Sequence, residues 1–169
     1  MSLSEPDPAD IVIDADRRRK FLVVVDGSPE SLVALKFASL RALHTDGNVA
    51  LLVVIEHRDR QNWLGVDDII REEARQAAEN LLYRYAGEVN TFTGLIPELL
   101  IREGKKTEQV RRVVEEEPEI SILVLGAGTE KEGPGPLVSL AAAGGDKAFA
   151  IPVTIVPGHL SDEEIKHLA

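Results

Sequence analysis

Two short segments carry the residue types that could bind a small molecule. The first is Asp26-Gly27-Ser28-Pro29, directly after the apolar run Phe21-Leu22-Val23-Val24-Val25. An aspartate at a strand end can accept hydrogen bonds from a ribose or a base, and a following serine can cap a helix. The plain alternative is a strand-to-helix turn with Ser28 as cap and no ligand. The second segment runs from Gly126-Ala127-Gly128 to Ser139. Glycines after a strand let a backbone approach phosphates, and the N–H groups of the next helix start can hold the anion. Its alternative is a connecting loop, since Gly133-Pro134-Gly135-Pro136 is also ordinary turn punctuation.

Groups that could perform catalysis are harder to find. His44, His57, His159 and His167 are scattered, with no pair at the i, i+3 or i, i+4 spacing that puts two metal ligands on one helix face. Asp67-Asp68 reads as a helix cap pair rather than a metal site. Glu115-Glu116-Glu117 reads as a solvated helix end, although acids there oppose the helix dipole. The G-x-S-x-G elbow, the G-x-x-x-x-G-K-[ST] loop and a G-x-G-x-x-G after the first strand are all missing. No residue stands out as catalytic, and no metal is expected.

The elements that must position these segments follow from composition and pattern. At 169 residues the chain fits one ordinary domain. Aromatics are only 4%, so the core must be built from Val, Leu, Ile and Ala. A net charge of −10 disfavours nucleic acid and membrane partners, because both present negative surfaces. The basic run Arg17-Arg18-Arg19-Lys20 reads as the solvated start of a strand. With no cysteine, disulfides and thiolate chemistry are excluded, which suits a reducing compartment. Residues 1–16 hold five acids, no base and no signal-peptide core, so the cytoplasm is the expected location. Residues 1–17 read as an acidic flexible arm, 18–157 as the domain, and 158–169 as a polar C-terminal tail.

Continuous apolar runs at 21–25, 49–55, 120–125 and 151–156 suit strands covered on both faces, the mark of a parallel sheet between helices. A further strand is expected at 95–101, at a sheet edge because Pro97 lacks a ladder donor. Helices are expected after Ser28, over 67–87 with Ile69 and Ile70 on the buried side, from Thr107 as cap, and over 137–149. The polar stretch 56–66 contains the single Trp63. Alternation of strand and helix implies an α/β fold, a three-layer sandwich with right-handed crossovers. Ligands in such sheets bind beyond the strands' carboxyl ends where the strand order reverses.

Lys20 to Val156 resembles the universal stress protein family. The matching pieces are Phe21-Leu22-Val23-Val24-Val25-Asp26-Gly27-Ser28-Pro29-Glu30-Ser31, Leu51-Leu52-Val53-Val54-Ile55, Arg102-Glu103-Gly104, Leu123-Val124-Leu125-Gly126 and Ile151-Pro152-Val153-Thr154-Ile155-Val156. The resemblance implies an adenine nucleotide alpha hydrolase-like fold with a five-stranded parallel sheet of order 3-2-1-4-5. It also implies a homodimer formed through the last strand, 151–156. An apolar edge strand is a hazard unless paired, so physics agrees with that mode.

One branch of the family binds ATP through Gly, two residues, Gly, nine residues, Gly, then Ser or Thr. Here the corresponding positions are Gly126, Gly128, Val138 and Ser139, with the first gap one residue short and Val in place of the last Gly. A Val side chain obstructs a phosphate that should touch backbone, and Glu130 and Glu132 outnumber Lys131 nearby. The family's adenosine contacts match Asp26, with Gly27 and Ser28 in the same turn, and Val54 on the second strand. The resemblance thus implies a dimeric stress-response regulatory module, with a nucleoside half retained and a phosphate half damaged. It would bind AMP or ATP weakly, AMP in preference, or no nucleotide. The rival is a slow nucleotide hydrolase or nucleotidyl-transfer enzyme of the same fold, using Asp26 and Glu130 for Mg²⁺. A phospho-accepting receiver domain is the weaker rival, since Asp26 has no acidic neighbour.

Overall fold

The computed structural model describes residues 18–57, 66–129, 133–145 and 148–169. The arm 1–17, Trp63 and the loop residues Glu130, Lys131 and Glu132 lie outside the described residues. Along the chain come β1 (Lys20–Val24), α1 (Pro29–His44), β2 (Asn48–Ile55), α2 (Val66–Thr93) and β3 (Glu98–Glu103). They are followed by α3 (Lys106–Glu116), β4 (Ile120–Ala127), α4 (Pro136–Ala143), β5 (Val153–Pro157) and α5 (Asp162–Leu168). The five strands form one sheet of order β3-β2-β1-β4-β5, and every pairing is parallel. This is the expected architecture.

The sheet buries both faces, and strand alternation divides the core in two. Phe21, Val23, Val49, Leu51 and Val53 face α1 and α2, meeting Ala34, Leu35, Ala38, Leu82 and Val89. Leu22, Val24, Ala50, Leu52 and Val54 face the other way, against Val110, Val113 and Val114 of α3 and Leu137 and Val138 of α4. Apart from Phe21 these side chains are aliphatic, in keeping with the low aromatic content.

Lys20 anchors the end of the sheet opposite the candidate site. Its ammonium reaches Glu98 at 2.7 Å and Glu119 at 2.8 Å, and its side chain is only 13% exposed. It therefore ties the starts of β3, β1 and β4 together. Burial alone would lower its pKa, but the two carboxylates outweigh that and raise it.

Several boundaries differ from expectation, each for a physical reason. β3 begins at Glu98, so Pro97 precedes the strand instead of sitting inside it. Its place at the sheet edge is as expected. α2 continues past Gly87 to Thr93 because Tyr85 and Val89 are buried and packing overrides the weak helix preference of glycine. Its 28 residues make it about 42 Å long, well beyond the span of the sheet. Ile69 and Ile70 in its first turns are consequently 62% and 55% exposed, contrary to expectation. α3 starts at Lys106 with Lys105, not Thr107, in the cap position. Its cap comes from elsewhere: Lys106 N–H donates to Glu56 Oε1 at 2.9 Å, from the chain just after β2. α4 stops at Ala143, short of 149, where Gly144 takes a positive φ. β5 begins at Val153, after Pro152.

The segment 158–169, expected as a polar tail with a last turn from Ser161, carries α5. Ser161 Oγ accepts from Glu164 N–H while Glu164 Oε2 accepts from Ser161 N–H, a reciprocal capping box. Ile165 is fully buried, and Lys36 of α1 holds Asp162 at 2.8 Å. α5 is thus part of the packed domain. Replacing Ile165 by Ala should cost about 2–5 kcal/mol of unfolding free energy in urea denaturation, and Ser161→Ala about 1 kcal/mol. Ile69→Ala, at an exposed position, should change little. Equal effects of Ile165→Ala and Ile69→Ala would show that α5 is not packed as described.

Candidate functional site

The apolar run of β1 ends at Val24, and Val25 N–H still reaches Leu52 O at 2.9 Å before the chain turns. Asp26 follows at the carboxyl end of the central strand. Its Oδ1 accepts the N–H of Ser28 at 2.9 Å, which folds the turn back on itself, and Gly27 takes the positive φ of 86° this requires. Ser28 caps α1, its Oγ accepting from Ser31 N–H at 3.2 Å. Ser31 is buried and donates its own hydroxyl hydrogen to Ser28 O at 2.9 Å. The turn is therefore a closed hydrogen-bonded unit, and Asp26 organises it.

Across the point where strand order reverses, between β1 and β4, lies a crevice of about 80 Å³. Val24 and Leu125 supply apolar wall at the strand ends. Asp26, Ser28, Glu30 and Ser31 form the α1 side. Lys106 stands at the start of α3, and Pro134 to Val138 close the remaining side. Asp26 is solvent-accessible, yet the surrounding walls take away part of its hydration. That burial pushes its pKa up, but hydrogen bonds from Ser28 and the Lys106 charge outweigh it, so the carboxyl titrates below its ordinary range.

Of the sequence candidates, the structure brings Asp26, Ser28, Gly126 and Val138 to the crevice lining. Gly126 lies under the first turn of α1, where a Cβ would overlap the Glu30 carbonyl oxygen. Val138 is 8% exposed and packs its side chain into the core with Leu137. Gly128 instead meets the Gly133 carbonyl, which would stand 2.6 Å from a Cβ there. Ser139 is exposed and donates its hydroxyl back to Gly135 O at 2.8 Å. Val54 is buried beneath the α3 and α4 face, outside the lining. Glu30, Ser31 and Lys106 were not foreseen. Ser31 was legible as part of the first-strand turn, whereas Lys106 enters only because α3 starts beside the crevice. Among the described residues, no group of three or more His, Asp or Glu could hold a metal ion.

The universal stress protein family matches residues 17–157 of the sequence. The chain belongs to this family. α5 lies beyond the matched stretch. Solved structures share the fold. Universal stress protein UspA from Lactobacillus plantarum is 18% identical with a TM-score of 0.67, over 83% of this chain and 98% of its own. A universal stress protein family protein from Arabidopsis thaliana, with AMP bound, is 15% identical with a TM-score of 0.59, over 86% and 94%. A universal stress protein in complex with cAMP is 13% identical with a TM-score of 0.57, over 84% and 98%. No curated protein matches the sequence. No described helix is long and apolar enough to cross a membrane.

Because the folded-state pKa of Asp26 lies below its unfolded value, its ionised form stabilises the fold. That contribution is complete above the ordinary aspartate range and is lost as pH falls through the folded pKa. Asp26→Asn keeps an acceptor for Ser28 but no charge. In urea unfolding from pH 7 to about pH 3, the wild-type advantage over Asp26→Asn should shrink toward zero at the acid end. A gap independent of pH would refute the assignment.

Proposed function

We propose that this universal stress protein is a dimeric, cytoplasmic stress-response regulatory module whose crevice binds an adenine nucleotide weakly, AMP in preference to ATP. The observation that carries the reading is the Asp26 carboxylate at the end of the central strand, facing a crevice at the reversal of strand order. Two similar structures hold AMP and cAMP, which supports the choice of ligand class. Weak binding follows from the dimensions: about 80 Å³ falls far below the roughly 300–1,000 Å³ of ordinary ligand pockets.

Preference for a single phosphate follows from the walls. Glu30 adds a second carboxylate to the crevice, and a triphosphate brought near it is repelled. Pro136 opens α4 without an N–H, so this helix start offers one donor fewer to phosphate oxygens.

Titration of the intact protein with AMP, ATP and adenosine, followed by thermal melting, tests the reading. A ligand at 100 times its Kd should add about 2.7 kcal/mol of stability. AMP should raise the melting temperature at lower concentration than ATP, and Asp26→Ala should abolish both responses. A flat response to all three at millimolar concentration would overturn it.

The dimer is proposed to form through β5. This strand ends the sheet, and Ile155 on it is 41% exposed. An unpaired apolar edge favours pairing with a second copy. Sedimentation should give a dimer for the wild type and a monomer for Ile155→Lys. A wild-type monomer at tens of micromolar would refute this mode.

A further inference from the structure

Among the described residues, Lys106 is the one basic residue that lines the crevice. The other described lysines with comparable cover each hold carboxylates, Lys20 through Glu98 and Glu119, Lys36 through Asp162. Lys106 has no ion pair among the described residues. Its charge is felt by Asp26, and both line the crevice, but the two groups do not form a salt bridge. A carboxylate and an ammonium that line one crevice without pairing match a ligand that has both hydroxyl donors and an anionic group.

The backbone of α3 does not compete for that anion. The Lys106 N–H is already donated to Glu56 Oε1. What is free at this position is the side chain, with three donors on a flexible stem. Asp26 lines the same crevice, and its carboxylate, already held by Ser28, presents acceptor oxygens of the kind a ribose hydroxyl donates to.

Resting on the nucleotide reading of the crevice, we infer that Lys106 is its specificity-determining residue and receives the phosphate of a nucleoside monophosphate whose ribose lies toward Asp26. One lysine neutralises one phosphate group. A second and third phosphate would have only Asp26 and Glu30 as charged neighbours in the lining. Phosphate recognition has thus moved from the glycine loop to the start of α3.

Calorimetric titration of the full chain with AMP and with adenosine, on wild type, Lys106→Gln and Lys106→Arg, decides the matter. Lys106→Gln should weaken AMP binding roughly tenfold, the loss of one charge-assisted contact, and leave adenosine unchanged. Lys106→Arg should retain most of the AMP affinity. Wild-type AMP binding should also weaken as salt rises while adenosine binding does not. AMP affinity unchanged in Lys106→Gln, or falling together with that of adenosine, overturns the role of Lys106 and leaves the crevice reading standing. Wild type binding neither ligand overturns both. Should Lys106→Gln not fold, equal salt dependence for AMP and adenosine in the wild type overturns the inference alone.

Discussion

Where the first turn of α1 crosses the ends of β4 and β5, backbone lies on backbone. A Cβ on Gly126 would overlap the Glu30 carbonyl oxygen. One on Gly158 would stand 2.5 Å from the Ala127 carbonyl and 2.7 Å from Cβ of Glu30. Such approaches leave no room for side chains. They fix the start of α1 over the reversal of strand order, and with it the Asp26 turn and Glu30. The crevice is the space left between that seated helix start, α3 and the chain from Pro134 to Val138. Gly126 near the end of β4 therefore has a packing duty here as well as any duty toward a ligand.

The rest of the molecule keeps that arrangement rigid. The interior is mainly aliphatic on both sheet faces, and no buried side-chain polar atom among the described residues lacks a partner. Charge is placed at the rims. Lys20 closes the far end of three strands, and Lys36 joins α1 to α5 through Asp162 while lying 5.6 Å from the Phe92 ring of α2. Pairs of this kind add modest stability when exposed. Their larger effect is to specify which element sits against which.

Much of the fold could be read from the residues because its signals are local. Unbroken runs such as Phe21 to Val25 announce a strand covered on both sides, and Ser28-Pro29-Glu30 announces a helix start. Helix and strand ends were less legible where long-range packing decides them, as with Gly87 inside α2 and Ile69 left outside the core. α5 was legible in principle: Ser161 and Glu164 have capping-box spacing ahead of Ile165. The site was readable only in half. Asp26 and Ser28 lie on one turn, so spacing reveals them. Lys106 is 80 residues from Asp26 in sequence, and only the pairing of strands brings it near. Ser139 follows directly on residues that line the crevice, and its hydroxyl turns back to Gly135.

The crevice is small and opens to solvent. Ordinary pockets enclose most of a ligand's surface. On the proposed nucleotide reading this one would enclose only part of the molecule and leave the remainder in water, so discrimination would fall to the few side chains around the enclosed part.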